Sequence, residues 1–172
     1  MLLRNGAREV VAVDVGYGQL VWRLQNDPRV RVLDRTNIRN LTPDMMGGLA
    51  DLMVGDLSFI SLKLVLPALV ECLEDGADLL PMVKPQFEVG KDRLGSGGVV
   101  RSQELREEVT VDVAQFAQGL GLSVRGVAAS PLPGPSGNVE YFLWLVKDGG
   151  EAMLDDDSLA AAVQKAVKEG PQ

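Results

Sequence analysis

The chain has 172 residues, of which 46% are hydrophobic and 24% are charged, and its formal net charge is −7. These values are typical of one soluble globular domain, and no run approaches the ~18 consecutive apolar residues that a membrane-spanning helix requires. We therefore expect a cytoplasmic protein with no membrane partner. Its core should need no disulfide, because Cys72 is the single cysteine.

Histidine is absent from the sequence, which removes the commonest general base and the commonest metal ligand. Any proton transfer is left to Lys, Asp, Glu and Tyr, and no metal site is expected. The acidic balance argues against extended nonspecific nucleic-acid binding, because phosphate contacts need clustered cations, but it is compatible with a local basic patch.

Three short runs in the first third of the chain are β-branched and apolar before each ends in an acid, which predicts buried parallel strands. They span residues 9–14, 30–34 and 51–56. Between the first two, Leu20, Val21 and Leu24 recur at helical spacing, and the Asp-Pro pair at 27–28 marks a helix end. A crossover helix between parallel strands is therefore predicted.

The rest of the chain continues this alternation of helices and strands. The pattern predicts a helix over 61–77 with a kink or start at Pro67, a strand over 77–84, a loop over 85–102, a helix from about Ser102 to Gly119, strands over 122–130 and 139–146, and a short helix over 157–170. Because residues 131–138 contain three prolines and two glycines, the last two strands should form an antiparallel hairpin.

These elements predict an α/β fold with a doubly wound, mostly parallel sheet that ends in an antiparallel hairpin. We expect one domain over residues 1–148, followed by an acidic C-terminal segment over 149–172. In such folds, ligands bind beyond the carboxyl ends of the strands.

Three charged residues stand at the ends of otherwise apolar, strand-like runs, namely Asp56, Lys84 and Glu140. A lysine between two acids can act as a base, or can stay charged and orient a substrate oxygen. The alternative is that each charge marks a strand leaving the core. Three such residues beside specialised loops favour a site, so we interpret them as candidate catalytic residues.

Polar residues after the first two strands are candidates for cofactor binding. Asp14 could accept the hydroxyls of a ribose while Gly16 allows close approach, although a plain tight turn would look the same. The segment is not a dinucleotide fingerprint, because Val21 stands where the third glycine would be needed. Asn37 could bond an adenine edge or form an Asx turn, and Phe59 could stack on a base or simply pack.

The stretches VAVDVGYGQLVWRLQNDPRV, DLSFISL, VKPQFEVGK and ASPLPGPSGNVEYFLWL together resemble the TlyA, or hemolysin A, family of ribosomal RNA methyltransferases within the FtsJ-like group. The resemblance covers nearly the whole chain. It implies a Rossmann-like fold that binds S-adenosylmethionine and methylates ribose 2'-hydroxyls of cytidines in the RNA of both ribosomal subunits. Of the family's Lys-Asp-Lys-Glu tetrad it places three members here, Asp56, Lys84 and Glu140, and its implied cofactor contacts are Asp14, Gly16, Asn37 and Asp56.

Family members also carry an N-terminal S4-type RNA-binding domain, the first tetrad lysine, and a first strand with a glycine-rich loop, none of which is recognised in this sequence. Residues 1–7 are instead typical of the end of a helix, with Gly6 as its C-cap. Each backbone group left unpaired by a missing strand costs about 1–3 kcal/mol, against a net stability of ~5–15 kcal/mol. We therefore expect a partial domain that alone binds S-adenosylmethionine weakly and methylates little.

Two other functions remain open from the sequence. One is a non-catalytic module that binds RNA or the ribosome and retains the methyltransferase fold. The other is membrane lysis, which the hemolysin name suggests but which the short C-terminal helix with its acidic flank disfavours. Neither the target nucleotide nor the oligomeric state follows from the sequence.

Overall fold

A computed structural model describes residues 1–148 and 154–171. They form two compact units, which are called the first unit (Met1–Leu49 with Pro67–Cys72) and the second unit (Ala50–Leu66 with Leu73–Gln172). Residues 149–153 of the predicted acidic C-terminal segment lie outside the described residues.

The first unit contains two parallel strands, β1 (Val10–Val13) and β2 (Val30–Leu33), paired from Val10 opposite Val30 to Val13 opposite Leu33. The predicted crossover helix is present but short, since α1 covers Trp22–Gln25. A second short helix, α2, covers Pro43–Met46 and is capped by the Thr42 hydroxyl. The two predicted parallel strands and the intervening helix are thus confirmed, but the strands are not buried as predicted, since all of β1 and three residues of β2 are half-buried and Arg31 is exposed.

At the start of the chain, a 3-10 helix covers Leu2–Asn5. Gly6 follows it with φ 95°, a left-handed conformation in which its N–H bonds the carbonyl of Leu2. Glycine adopts this conformation without the steric cost that a Cβ atom brings. The prediction that Gly6 is a helix C-cap is therefore confirmed.

The second unit is built on a four-stranded sheet in the order β3-β4-β6-β5. The strands are β3 (Ala50–Gly55), β4 (Leu73–Val83), β5 (Leu122–Ala129) and β6 (Tyr141–Lys147). β3 and β4 are parallel, whereas β6 runs antiparallel to both β4 and β5. The predicted C-terminal hairpin is confirmed, and the α/β fold is mixed rather than mostly parallel within this sheet.

Four further helices lie between or after these strands in the chain. They are α3 (Leu66–Glu71), α4 (Pro85–Glu88), α5 (Gln103–Gly119) and α6 (Asp156–Glu169). α5 begins as predicted, with the Ser102 hydroxyl accepting from the Leu105 N–H. The predicted helix over 61–77 is wrong at its end, because β4 already begins at Leu73. α3 ends at Glu71, and the residues after it pair with β3, with Leu73 opposite Ala50, instead of continuing the helix.

The core of the second unit lies where α5 and α6 pack on each other and on β5. Val113, Leu143 and Val163 are each fully buried there. Cys72 is buried as expected, and burial raises the pKa of its thiol. Among the described residues, no helix has the length and apolar character needed to cross a bilayer.

Candidate active site

Lys84 stands at the carboxyl end of β4, directly before α4, and is 8% exposed. Asp56 directly follows β3. Because β3 and β4 are parallel neighbours, their carboxyl ends meet at one edge of the sheet. The Lys84 Nζ atom lies 2.6 Å from Asp56 Oδ1, which makes a direct ion pair between the two strand ends.

Glu140 reaches the same lysine from the other side. It directly precedes β6, which runs antiparallel to β4 with Tyr141 opposite Val83, so the start of β6 adjoins the end of β4. Glu140 Oε1 lies 3.7 Å from Lys84 Nζ, and Glu140 is 5% exposed. One buried ammonium is therefore held between a buried carboxylate and an exposed one, since the Asp56 side chain is 69% exposed.

The lysine has a further polar neighbour, because Lys84 Nζ donates to Ser58 Oγ at 3.2 Å. A buried charge is tolerated when opposite charges and hydrogen bonds compensate its loss of hydration. Asp56, Ser58 and Glu140 together provide this compensation. The ammonium is thus fixed by three polar partners, of which Asp56 is the one whose side chain is exposed to solvent.

Two residues that the sequence did not reveal hold Glu140 in place. Gln86 Nε2, in α4, donates to Glu140 Oε1 at 3.4 Å. Gly134 lies on the opposite side, and a Cβ atom there would come within 2.6 Å of Glu140 Oε1. Gly134 is therefore needed for space, because any side chain would push the carboxylate out of its position.

Asn138 joins the two loops that flank the site. Its side-chain oxygen accepts from the Val100 N–H at 3.0 Å, and its side-chain nitrogen donates to the Gly98 carbonyl at 2.9 Å. Asn138 is 3% exposed and also accepts through its main-chain carbonyl from the Gly134 N–H. The loop of residues 90–101 and the loop of residues 131–139 are consequently tied together at one side chain.

Phe59 presents an almost fully exposed aromatic ring close to Lys84. The residue is 90% exposed, and its ring centroid lies 5.2 Å from that of Phe87. Its φ is 63°, a left-handed conformation that costs a non-glycine residue about 1–3 kcal/mol. Such strain persists where the surrounding structure enforces it, and it often occurs in functional sites.

Glu88, at the end of α4, forms hydrogen bonds with the C-terminal end of the loop of residues 56–61. Its carboxylate accepts from Ser61 Oγ at 2.6 Å and from the Leu62 N–H at 2.8 Å. Burial raises the pKa of the Glu88 carboxyl, while these two hydrogen bonds and the Lys63 ammonium oppose that rise. The segments that follow β3 and β4 are therefore connected twice. Lys84 bonds Asp56 and Ser58, and Glu88 bonds Ser61 and Leu62.

The candidate cofactor residues lie in the first unit. Asp14 Oδ1 accepts from the Gly16 N–H at 2.6 Å, and a Cβ atom at Gly16 would approach that oxygen to 3.0 Å. Asp14 is exposed, so its carboxylate remains accessible to a ribose diol. The Asn37 side-chain oxygen accepts from the Arg39 N–H, which is the predicted alternative of an Asx turn, and the residue is exposed.

The structure brings Asp56, Lys84 and Glu140 together, and their chemical roles remain predictions. Asp14, Gly16 and Asn37 are described within the first unit by their own local contacts. Sequence reasoning missed Gln86, Glu88 and Gly134. The stretch VKPQFEVGK contained the signal for the first two, because its glutamine and glutamate follow the lysine in a segment that looked like a plain loop.

Comparison with known proteins gives a consistent result. The model of the FtsJ-like methyltransferase family matches residues 1–147. The 16S/23S rRNA (cytidine-2'-O)-methyltransferase TlyA of Mycobacterium tuberculosis is 60% identical over 171 residues, which are 99% of this chain and 63% of that protein. Hemolysin A of Brachyspira hyodysenteriae is 33% identical over 141 residues, covering 81% of this chain and 59% of that protein. The chain thus spans less than two thirds of the length of these relatives.

Solved structures show the same fold. A structure from Streptococcus thermophilus matches with a TM-score of 0.87 and 42% identity, covering 98% of this chain and 61% of the other. The N-methyltransferase NodS from Bradyrhizobium japonicum, in complex with S-adenosyl-L-homocysteine, matches with a TM-score of 0.56 and 13% identity, covering 84% and 69% of the two chains. At that identity, the second likeness concerns the fold alone.

Proposed function

This chain belongs to the FtsJ-like methyltransferase family, and from that premise we propose that it transfers a methyl group from S-adenosylmethionine to the ribose 2'-hydroxyl of a cytidine in ribosomal RNA. The proposal assigns this reaction to residues 1–148 and treats residues 149–172 as a C-terminal segment. The substrate class rests on the printed function of the Mycobacterium tuberculosis relative.

The observation that carries the proposal is the arrangement around Lys84. Its buried ammonium contacts one buried carboxylate and one exposed carboxylate, at 3.7 Å and 2.6 Å. A purely structural ion pair has no need of a second acid. A lysine that handles a substrate hydroxyl benefits from two, because a buried acid compensates its charge while the other acid, which is exposed, lies on the side from which solvent and substrate come.

The chemistry requires the 2'-oxygen to lose its proton while it forms a bond to the methyl carbon. When bound, S-adenosylmethionine would supply that carbon as a methyl group on a sulfonium centre, and its carbon–sulfur bond would break to leave S-adenosyl-L-homocysteine. Lys84 either takes the proton, which requires its neutral amine form, or stays charged and orients the oxygen for attack. In both roles Asp56 and Glu140 stabilise the ammonium, and much of the rate comes from holding the reacting atoms in line.

Asp14, Gly16 and Asn37 would hold the cofactor. The accessible carboxylate of Asp14 suits the two ribose hydroxyls, and Gly16 lets the backbone approach closely. The amide nitrogen of Asn37, an exposed residue, suits an acceptor atom of adenine. Asp56 is assigned to the cofactor side as well as to Lys84, because most of its side chain is exposed.

Phe59 is the element of the site that suits RNA. Enzymes that act on single nucleotides hold the base by stacking it on aromatic side chains. The exposed ring of Phe59 is supported from behind by Phe87 and stands next to Ser58, which contacts Lys84. We assign it to a nucleobase at or beside the target ribose.

The test is transfer of tritiated methyl groups to ribosomal RNA under single-turnover conditions, with protein in excess so that a slow rate is still measured. We expect Lys84→Ala to reduce the rate by about 100-fold or more. Lys84→Arg separates the two roles of the lysine, since arginine keeps the charge but takes no proton. Lys147→Arg is the matched control, because Lys147 is also half-buried and ion-paired, with Asp75 at 3.6 Å.

The product is then identified by nuclease digestion and mass spectrometry as 2'-O-methylcytidine. Transfer by the wild-type chain that does not exceed that of Lys84→Ala would contradict the proposal. RNA affinity that is equal in both proteins, with transfer absent from both, would instead support the non-catalytic RNA-binding module.

A further inference from the structure

The loop of residues 56–61 delivers several of the contacts around Lys84. Asp56 and Ser58 both bond its ammonium. The ring of Phe59 packs at a tilt against the ring of Phe87, which belongs to α4. Within the described chain, no main-chain hydrogen bond is made by residues 57–60. The position of these side chains is therefore determined by how the two ends of the loop are held.

The two ends of this loop are held differently. At its start, β3 is paired with β4 up to Gly55, opposite Pro81. At its end, Glu88 accepts from both the Ser61 hydroxyl and the Leu62 N–H. Ser61 Oγ also accepts from the Lys63 N–H, as the cap of a 3-10 helix over Leu62–Leu64. The Glu88 carboxylate thus holds the end of the loop together with this helix and the buried Leu62 side chain.

Glu88 is itself well placed to serve as an anchor. It belongs to α4, which begins directly after Lys84, and the next residue, Val89, is 3% exposed and packs with Val100 and Val109. Hydrogen bonds to a charged acceptor are roughly twice as strong as those between neutral groups. Glu88 is therefore held in place by the packing of the neighbouring Val89, and its carboxylate binds Ser61 and Leu62 strongly.

We propose that Glu88 is a positioning residue that holds residues 56–61 against Lys84, so that Asp56 and Ser58 keep the lysine in its reactive place. The Glu88 carboxylate bonds Ser61 and Leu62, and it acts on Lys84 through the loop. The catalytic meaning of this role rests on the proposed function, but the mechanical role can be measured without any turnover.

The first measurement is the rate of reductive methylation of the Lys84 amine, followed by mass spectrometry of its peptide. Glu88→Gln should speed this labelling by roughly tenfold, because Asp56 and Ser58 no longer stay on the ammonium. Ser61→Ala, a milder change that keeps the fold, should give a smaller increase of the same kind. Lys147 in the same samples is the internal reference, and its rate should stay constant.

Glu104→Gln is the matched control variant. Glu104 accepts from the Ser102 hydroxyl at 2.7 Å at the start of α5. This is the same kind of serine–glutamate hydrogen bond as the one between Ser61 and Glu88, but it does not involve the loop of residues 56–61. This variant should leave Lys84 labelling unchanged. Unchanged Lys84 labelling in both Glu88→Gln and Ser61→Ala would overturn the positioning role.

The second measurement is methyl transfer by the same proteins. Glu88→Gln should lower kcat by roughly tenfold with little change in KM for RNA, because the loop positions the reacting group rather than the bulk of the substrate. A wild-type chain that transfers no methyl group would refute the proposed function and leave the labelling result to decide on Glu88. Faster labelling with kcat unaltered would overturn the claim that the Glu88 contact serves the reaction.

Discussion

The two units of this chain support their candidate functional residues in different ways. In the first unit, β1 and β2 have four residues each, none of them fully buried, and Leu41 is the buried hydrophobic residue of residues 1–49. In the second unit, the strands reach eleven residues, and residues 77–83 of β4 alternate buried and half-buried positions. Residues assigned to the cofactor thus rest on local hydrogen bonds, and Lys84 lies at the end of a strand in a packed core.

This difference teaches that an acid at the end of an apolar strand does not by itself reveal how firmly it is held. Asp14 and Asp56 follow the same sequence pattern. Asp14 is fixed by its own turn, through the Gly16 N–H, whereas Asp56 bonds a lysine from the neighbouring strand. Mutations should therefore have effects of different size and kind in the two units.

The largest difference is expected in stability. Leu143→Ala removes a fully buried side chain from the central strand β6 and should lower the free energy of unfolding by about 3 kcal/mol. Val11→Ala removes a half-buried side chain from β1 and should cost about 1 kcal/mol or less. Urea unfolding followed by circular dichroism compares them, and equal costs would show that the first unit is packed as tightly as the second.

The next effect concerns the cofactor. Asp14→Asn removes the charged acceptor for the ribose hydroxyls and should weaken binding of S-adenosyl-L-homocysteine by about tenfold, or about 1.4 kcal/mol, in calorimetric titration. Lys84→Ala is the comparison from the second unit and should leave that affinity nearly unchanged. An equal loss of affinity in Lys84→Ala and Asp14→Asn would contradict the assignment of cofactor binding to Asp14 and not to Lys84.

A smaller effect is expected in the pH dependence of stability. Because burial raises the pKa of Glu88 above its ordinary value of 4.5, the folded protein binds this proton more tightly than the unfolded chain does. Stability relative to Glu88→Gln should therefore fall as the pH rises from about 4.5 through the folded pKa, and should level off above it. Thermal unfolding of both proteins between pH 4 and pH 8 measures the difference, and a parallel pair of curves would contradict it.

The smallest effect belongs to an exposed pair in the first unit. Arg29 lies 2.7 Å from Asp27 and, chiefly through its side-chain hydrogen bonds, holds the pKa of that carboxyl at about 2, below the ordinary value of 3.8. Any stability from this pair is present above pH 3.8 and is lost as the pH falls through about 2. Carboxyl titration by NMR should show the low pKa return to the ordinary range in Arg29→Ala, with little change in melting temperature at neutral pH.

The parts of the fold that local pattern determines could be predicted from the sequence. The runs ending at Asp14 and Asp56 are β-branched and apolar, Ser102 offers a cap with acids behind it, and the proline-rich turn leaves little alternative to a hairpin. The meeting of Asp56 with Lys84 also followed, since parallel strands end at one edge.

The contacts that fix the site could not be predicted in this way. Gln86 reaches a residue 54 positions away, and Glu88 bonds residues 26 and 27 positions away. Such contacts depend on strand register and on a four-residue helix, neither of which leaves a periodic signal. Gly134 was missed for a related reason, because its role depends on how closely Glu140 approaches it.

The side chain of Asn138 has a consequence for motion. It forms hydrogen bonds with Gly98 and Val100 of the glycine-rich loop, and it lies two residues before Glu140 in the sequence. The two loops are therefore joined through one side chain. A displacement of the glycine-rich loop that preserves these hydrogen bonds must also move Asn138, and with it the short stretch of chain that leads into Glu140.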